Sequence, residues 1–262
     1  MHQRIQRALA AQRRGQGGFT MVELAIVLVI AGIILVAALK GTDMINKAKI
    51  ERVVSDIKGL QGMAFEHEKR TGRLPGDCNG DGIIGVILSN APANVVRLAG
   101  ATYTDDPNPM ATTGGACSGN ATGGGGVGVV ETNINTPWSD LRKANLVDPN
   151  RVNRQLAKNQ TNNWYAFGSM TSAVGSNAVT NYIVVYDIPL WMAKGIDVAI
   201  DGPDPVTMGT GTQDGGQVGR VRLFHNGTGG VSIDGAAWPN ANQGDDQLVA
   251  VSFQFDRAVP AN

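Results

Sequence analysis

The chain has 262 residues, with 22 basic and 22 acidic side chains, 42% apolar residues and 35 glycines. That length suits one or two domains with a substantial core. Charged residues at only 17%, with no net charge, exclude a highly charged disordered chain and a strongly basic nucleic-acid binder.

The charges are unevenly placed. Residues 1–18 carry Arg4, Arg7, Arg13 and Arg14 and no acid. Phe19 to Leu39 follows as FTMVELAIVLVIAGIILVAAL, with Glu23 its one charge. As a helix this stretch is about 31 Å long, one hydrocarbon thickness. The arginines ahead of it hold that end in the cytoplasm, so the chain beyond Leu39 is expected to face outward. No small-x-small cleavage site follows, as a secretory signal would require, and the apolar run passes straight into Lys40 and Gly41. The span is therefore expected to stay in the mature protein, and only the basic leader to be removed. A carboxylate inside such a span costs about 2.5–3.5 kcal/mol on insertion scales. Glu23 must either snorkel to the headgroups or find a cation.

Helical periodicity continues past the span. Ile50, Val53, Val54, Ile57, Leu60, Ala64 and Phe65 recur at spacings of three and four, one buried stripe. Gly72 and Pro75 end it. The pattern predicts one helix from Phe19 to about Arg70. Gly32 and Gly41 interrupt it at about 1 kcal/mol each, either as places to bend or as room for close helix packing.

Beyond Pro75 short strands alternate with Gly, Asn and Asp turns. The strands expected are Asn163–Phe167, Tyr182–Asp187, Val218–Phe224 and Gln247–Asp256. The last has Val249, Val251, Phe253 and Phe255 on one face. Thr136-Pro137 before WSDLRKANL predicts a capped short helix. Ile188, Met192, Ile196 and Ile200 predict a second, ended by Asp201-Gly202. The Gly/Thr/Asn-rich segment 101–128 is expected to be an exposed loop. The sum is an α+β chain, a long helix packed on an antiparallel sheet with short helices. Its parts are a basic leader (1–18), a membrane-spanning helix (19–39), an amphipathic continuation of that helix (40–74) and a globular head (75–262).

The stretch RRGQGGFTMVELAIVLVIAG resembles the class III signal of type IV prepilins and type II secretion pseudopilins. That resemblance implies a pilin-like fold and cleavage between Gly18 and Phe19 by a membrane prepilin peptidase, which then methylates Phe19. It makes Glu23 the assembly glutamate, paired with the Phe19 amine of a neighbouring subunit. It implies as partners an inner-membrane platform, an assembly ATPase and other pilin subunits. The host would be a bacterial inner membrane, and the destination a surface pilus or a periplasmic pseudopilus. The family often has a proline about where Lys40 stands, which this chain lacks. GRLPGD (72–77), PWSDLRKANLVD (137–148), IPLWMAKGIDVAIDG (188–202) and GRVR (219–222) look like segments of proteobacterial prepilin-like heads. A type II secretion pseudopilin and a membrane-anchored binding module that never assembles are the competing readings.

Cys78 and Cys117 both lie beyond the span, where a disulfide can form; two free thiols are the alternative. A bridge would stabilise by about 3–4 kcal/mol in the chain-entropy model. Asp77, Asn79, Asp81 and Gly82 spell the front half of an EF-hand-type Ca2+ loop, but its twelfth position is Leu88, not an acid. The same residues are equally good Asx-turn formers. By analogy with pseudopilins, Asp201, Asp204, Asp214, Asp245 and Asp246 are further calcium candidates, without a spacing that matches a motif. No GxSxG, HExxH or Walker A pattern occurs, GGGGVG (123–128) reflects composition, and no enzyme is expected. Four of the 22 basic residues lie in the leader, so the remainder carries four more acids than bases. No specific nucleic-acid partner is expected.

Overall fold

In a computed structural model the described residues are 18–85, 103, 105, 116–117, 133–159, 161–171, 178–203, 219–225, 238, 246–255 and 259–260. Segment 101–128, expected to be an exposed loop, is instead buried at Tyr103, Ala116 and Cys117, Tyr103 being stacked on Trp164 and Cys117 held in a disulfide. The rest of that segment except the exposed Asp105, residues 204–218 and all of the leader but Gly18 lie outside the described residues. Two compact units are present, residues 1–46 and 47–262.

Helix α1, Met21–Thr71, contributes to both. Within the first unit it is continuous through Gly32 and Gly41. It begins with a reciprocal cap. Thr20 Oγ1 accepts from the Glu23 amide at 3.2 Å, and Glu23 Oε2 accepts from the Thr20 amide at 2.9 Å. This T-x-x-E capping box satisfies two of the helix's orphan donors. Every residue from 18 to 40 is exposed, Phe19 at 80% and Leu28 at 72% among them.

In the second unit the expected stripe is buried at Val53, Val54, Ile57, Leu60 and Ala64, with Ile50 and Phe65 partly buried against it. His67 joins the stripe one turn further on. Gly72, at φ 80, ends the helix, its amide bonded to the Glu68 carbonyl at 2.7 Å. Glu66 and Arg70 pair on the outer face at 2.8 Å.

After α1 come α2, Thr136–Lys143, and α3, Asn153–Leu156. Then follow β1, Trp164–Thr171, β2, Ala178–Pro189, and α4, Leu190–Asp201. Strands β3, Val221–His225, β4, Leu248–Gln254, and β5, Val259–Pro260, complete the set. The strands pair antiparallel in the order β1-β2-β4-β3, with β5 against the start of β2. The α+β arrangement expected from the sequence is the one found.

Three details differ from expectation. Strand β4 is buried at five successive positions, Val249 to Phe253, so both its faces are covered, Ala250 and Ser252 being buried as fully as the expected apolar face. Ile188 lies in β2, where it pairs with Val249, and helix α4 starts only after Pro189. Helix α2 has Asn135 at its cap without a side-chain cap bond, and Pro137 is what fits its first turn.

Helix α1 is fixed to the sheet by specific polar contacts. Tyr165 OH donates to Asp56 Oδ2 at 3.2 Å, and Asp56 also pairs with Arg52. Gln61 Nε2 donates to the Phe255 carbonyl at 3.3 Å. Edge-on ring contacts then run from Phe65 to Phe255, Phe167 and Trp138, linking α1 to α2. Neighbouring strand residues point to opposite faces, so Trp164, stacked on Tyr103 at 5.5 Å, lies on the far side from α1.

Candidate functional site

The first candidate site is the start of α1. Gly18 has open space around it and Phe19 is exposed, so both flanks of the expected scissile bond are accessible. Two hydrogen bonds converge on Glu23 Oε2, from the Thr20 amide and from Thr20 Oγ1 at 2.8 Å. The carboxylate expected to serve assembly therefore also caps its own helix. Thr20 is the first residue of a T-x-x-E box, a local sequence signal that precedes the apolar run.

The second cluster lies where α1 gives way to the head. Asp140, 1% exposed on α2, accepts from Arg73 Nη1 at 2.8 Å and Nη2 at 3.3 Å. It also accepts from the amides of Gly76 and Cys117, each at 2.8 Å. One carboxylate thus ties together GRLPGD, PWSDLRKANLVD and the second cysteine. Neither Arg73 nor Asp140 stood out in the sequence, because 67 residues separate them. His67 sits beside this cluster with Nδ1 at 2.9 Å from the Arg73 carbonyl, which assigns its proton to Nδ1. Burial holds its pKa below the ordinary 6.5, against the carbonyl and the Asp140 charge, which favour protonation.

Cys78 and Cys117 form a disulfide with their Cα atoms 5.3 Å apart. Around Cys78 the D-x-N-x-D-G residues fold as interlocking Asx turns. Asp77 Oδ1 accepts from the Gly80 amide at 2.7 Å and Oδ2 from the Gly82 amide at 3.0 Å. Asn79 Oδ1 accepts from the Asp81 amide, and Asp81 Oδ1 from the Ile83 amide. Burial raises the Asp77 pKa, and the Gly80 and Gly82 amides offset part of that rise. The loop docks on β2 through Asn181, which accepts from the Ile84 amide and donates to the Gly82 carbonyl. Among the described residues no three His, Cys, Asp or Glu side chains gather into a set that could hold a metal.

Of the other acidic candidates, Asp201 works as a brace: its Oδ2 accepts from the amides of Arg220 and Val221. The brace joins IPLWMAKGIDVAIDG to GRVR. Gly219, at φ 88, brings its backbone against the Asp201 carboxylate, leaving no space for a Cβ. Asp246 is exposed, and Asp204, Asp214 and Asp245 lie outside the described residues.

Comparison with known proteins gives one family match, the prokaryotic N-terminal methylation motif, over residues 13–39. Neither the curated proteins nor the solved structures give a match to this chain. Helix α1 is long and apolar enough to cross a membrane, consistent with a single-pass inner-membrane anchor. From Arg13 to Leu39 the chain carries the N-terminal methylation motif, the signal of type IV prepilins and pseudopilins.

Proposed function

We propose that this chain is a structural subunit, minor or pilin-like, of a type IV pilus or related filament, working by assembly rather than catalysis. The observation that carries this reading is the methylation motif on a helix start whose side chains are all left exposed. Burying a large apolar side chain is worth about 1.5–3 kcal/mol. So many of them demand lipid first and neighbouring helices afterwards.

In this account the leader stays in the cytoplasm and the head faces outward. Prepilin peptidase cuts between Gly18 and Phe19 and methylates Phe19. The new amine and Glu23 of adjacent subunits then neutralise each other in an apolar surrounding, where an unpaired charge is costly. An inner-membrane platform and an assembly ATPase are the proposed partners, with other pilin subunits as neighbours. The periplasmic pseudopilus of type II secretion uses the same signal and is the competing destination.

Glu23→Gln tests the assembly step, because it removes the charge while keeping an oxygen for Thr20. Normal leader removal with most of the filament lost is expected. Filament at the wild-type level would reject the pairing role. Recovery of the chain in filaments sheared from the cell surface, rather than in the envelope alone, identifies a pilus.

A further inference from the structure

The Asx-turn loop after α1 holds two dipeptides of known chemical frailty, Asn79-Gly80 and Asp81-Gly82. Glycine leaves the following amide nitrogen unhindered, so it can attack the preceding side-chain carbonyl. At Asn79, the Gly80 nitrogen loses its proton and bonds to Cγ, and Nδ2 departs as ammonia. Water then opens the succinimide to aspartate or isoaspartate. At Asp81 the same attack by the Gly82 nitrogen expels water, and hydrolysis returns aspartate or isoaspartate.

Both nitrogens are held by one side chain. Asp77 is 1% exposed, and its two carboxylate oxygens bind the amides of Gly80 at 2.7 Å and Gly82 at 3.0 Å. An amide donating to a carboxylate keeps its proton, and the charge beside it opposes the amide anion the attack requires. The electrophiles are restrained too. Asn79 Nδ2 donates to Asp81 Oδ2 at 2.9 Å, Asn79 Oδ1 accepts from the Asp81 amide, and Asp81 Oδ1 accepts from the Ile83 amide. Arg73 Nη1, bonded to the Asp77 carbonyl at 3.0 Å, and the neighbouring disulfide fix the frame.

We propose that Asn79-Gly80 and Asp81-Gly82 are latent succinimide sites, and that Asp77 keeps both closed in the folded, oxidised chain. The test is ageing of the full-length chain in detergent at mildly alkaline pH, with peptide mapping for deamidation at 79 and isoaspartate at 79 and 81. The folded wild type should react at least about tenfold more slowly at both sites than the same chain denatured and reduced, the effect of losing hydrogen bonds to a charged group. Folded Asp77→Ala should speed both sites together. Asp77→Asn, which keeps a single acceptor oxygen, should release one site more than the other. Should Asp77→Ala fail to fold, the folded and denatured wild type and the Asp77→Asn variant still decide. Equal rates in folded and denatured wild type would overturn the proposal, as would folded Asp77 variants that react no faster than wild type.

Discussion

Asp140 is buried with four donors around it, and those donors come from two separate stretches of chain, Arg73–Gly76 and Cys117. Removing one partner of such a pair leaves an uncompensated charge, at a cost of about 3–5 kcal/mol. Asp140→Ala should therefore lower the unfolding free energy of the full-length chain by that amount, read from denaturant titration, with Glu66→Ala, an exposed pair member, as a near-neutral control. His67 gives the same region a pH dependence. Its pKa is lowered on folding, so the unfolded state binds the proton first, and stability present above about 6.5 is lost as the pH falls below it. Unfolding followed by tryptophan fluorescence should show this loss in the wild type and a shallower one in His67→Gln. Asp77 acts with the opposite sign and lower on the scale: its raised pKa favours the folded state below 3.8 and loses that contribution as the pH climbs. These groups were poorly legible in the sequence. Arg73 and Asp140 belong to no periodic pattern, and His67 looks like any helical histidine until the chain after Gly72 folds back over it. Cys78 and Cys117 were readable because the chain offers no other thiols.

Among the elements, α1 was the most legible, since a stripe repeating every three or four residues has no other economical meaning. The head was harder. Ile188, Met192, Ile196 and Ile200 keep a spacing of four, yet Pro189 divides them between strand and helix. Val249, Val251 and Phe253 on one face of β4 and Ala250 and Ser252 on the other are all buried, so alternation along the strand does not separate core from solvent. Glycines separate local from tertiary demands. A Cβ on Gly76, at φ 84, would lie 2.7 Å from Pro137 Cγ, so Gly76→Ala should cost about 2–4 kcal/mol through strain and overpacking together. Gly59 and Gly62 sit in α1 with nothing within 4 Å of a Cβ. Alanine at either should stabilise the isolated subunit by about 0.5–1 kcal/mol. Calorimetry of the three variants checks both signs at once.

At the level of the whole molecule, the two units answer to different solvents. Residues 47–262 bury an apolar core in the usual way, from Val53 to Phe255, and pin it with Asp140, Asp201, Asn181 and one disulfide. Residues 18–40 bury nothing. The function proposed for that first unit was legible in the sequence because its signal is a short local motif, matched over residues 13–39. The head's contacts with other subunits depend on surface shape, which no short motif encodes. The central claim is that the leader is removed and Phe19 becomes the mature, methylated N-terminus. Intact mass and N-terminal sequencing of the membrane-extracted chain, from cells with and without prepilin peptidase, tests it directly. The account predicts a chain beginning at N-methylated Phe19 only where the peptidase is present; a chain that still begins at Met1 in both would contradict it.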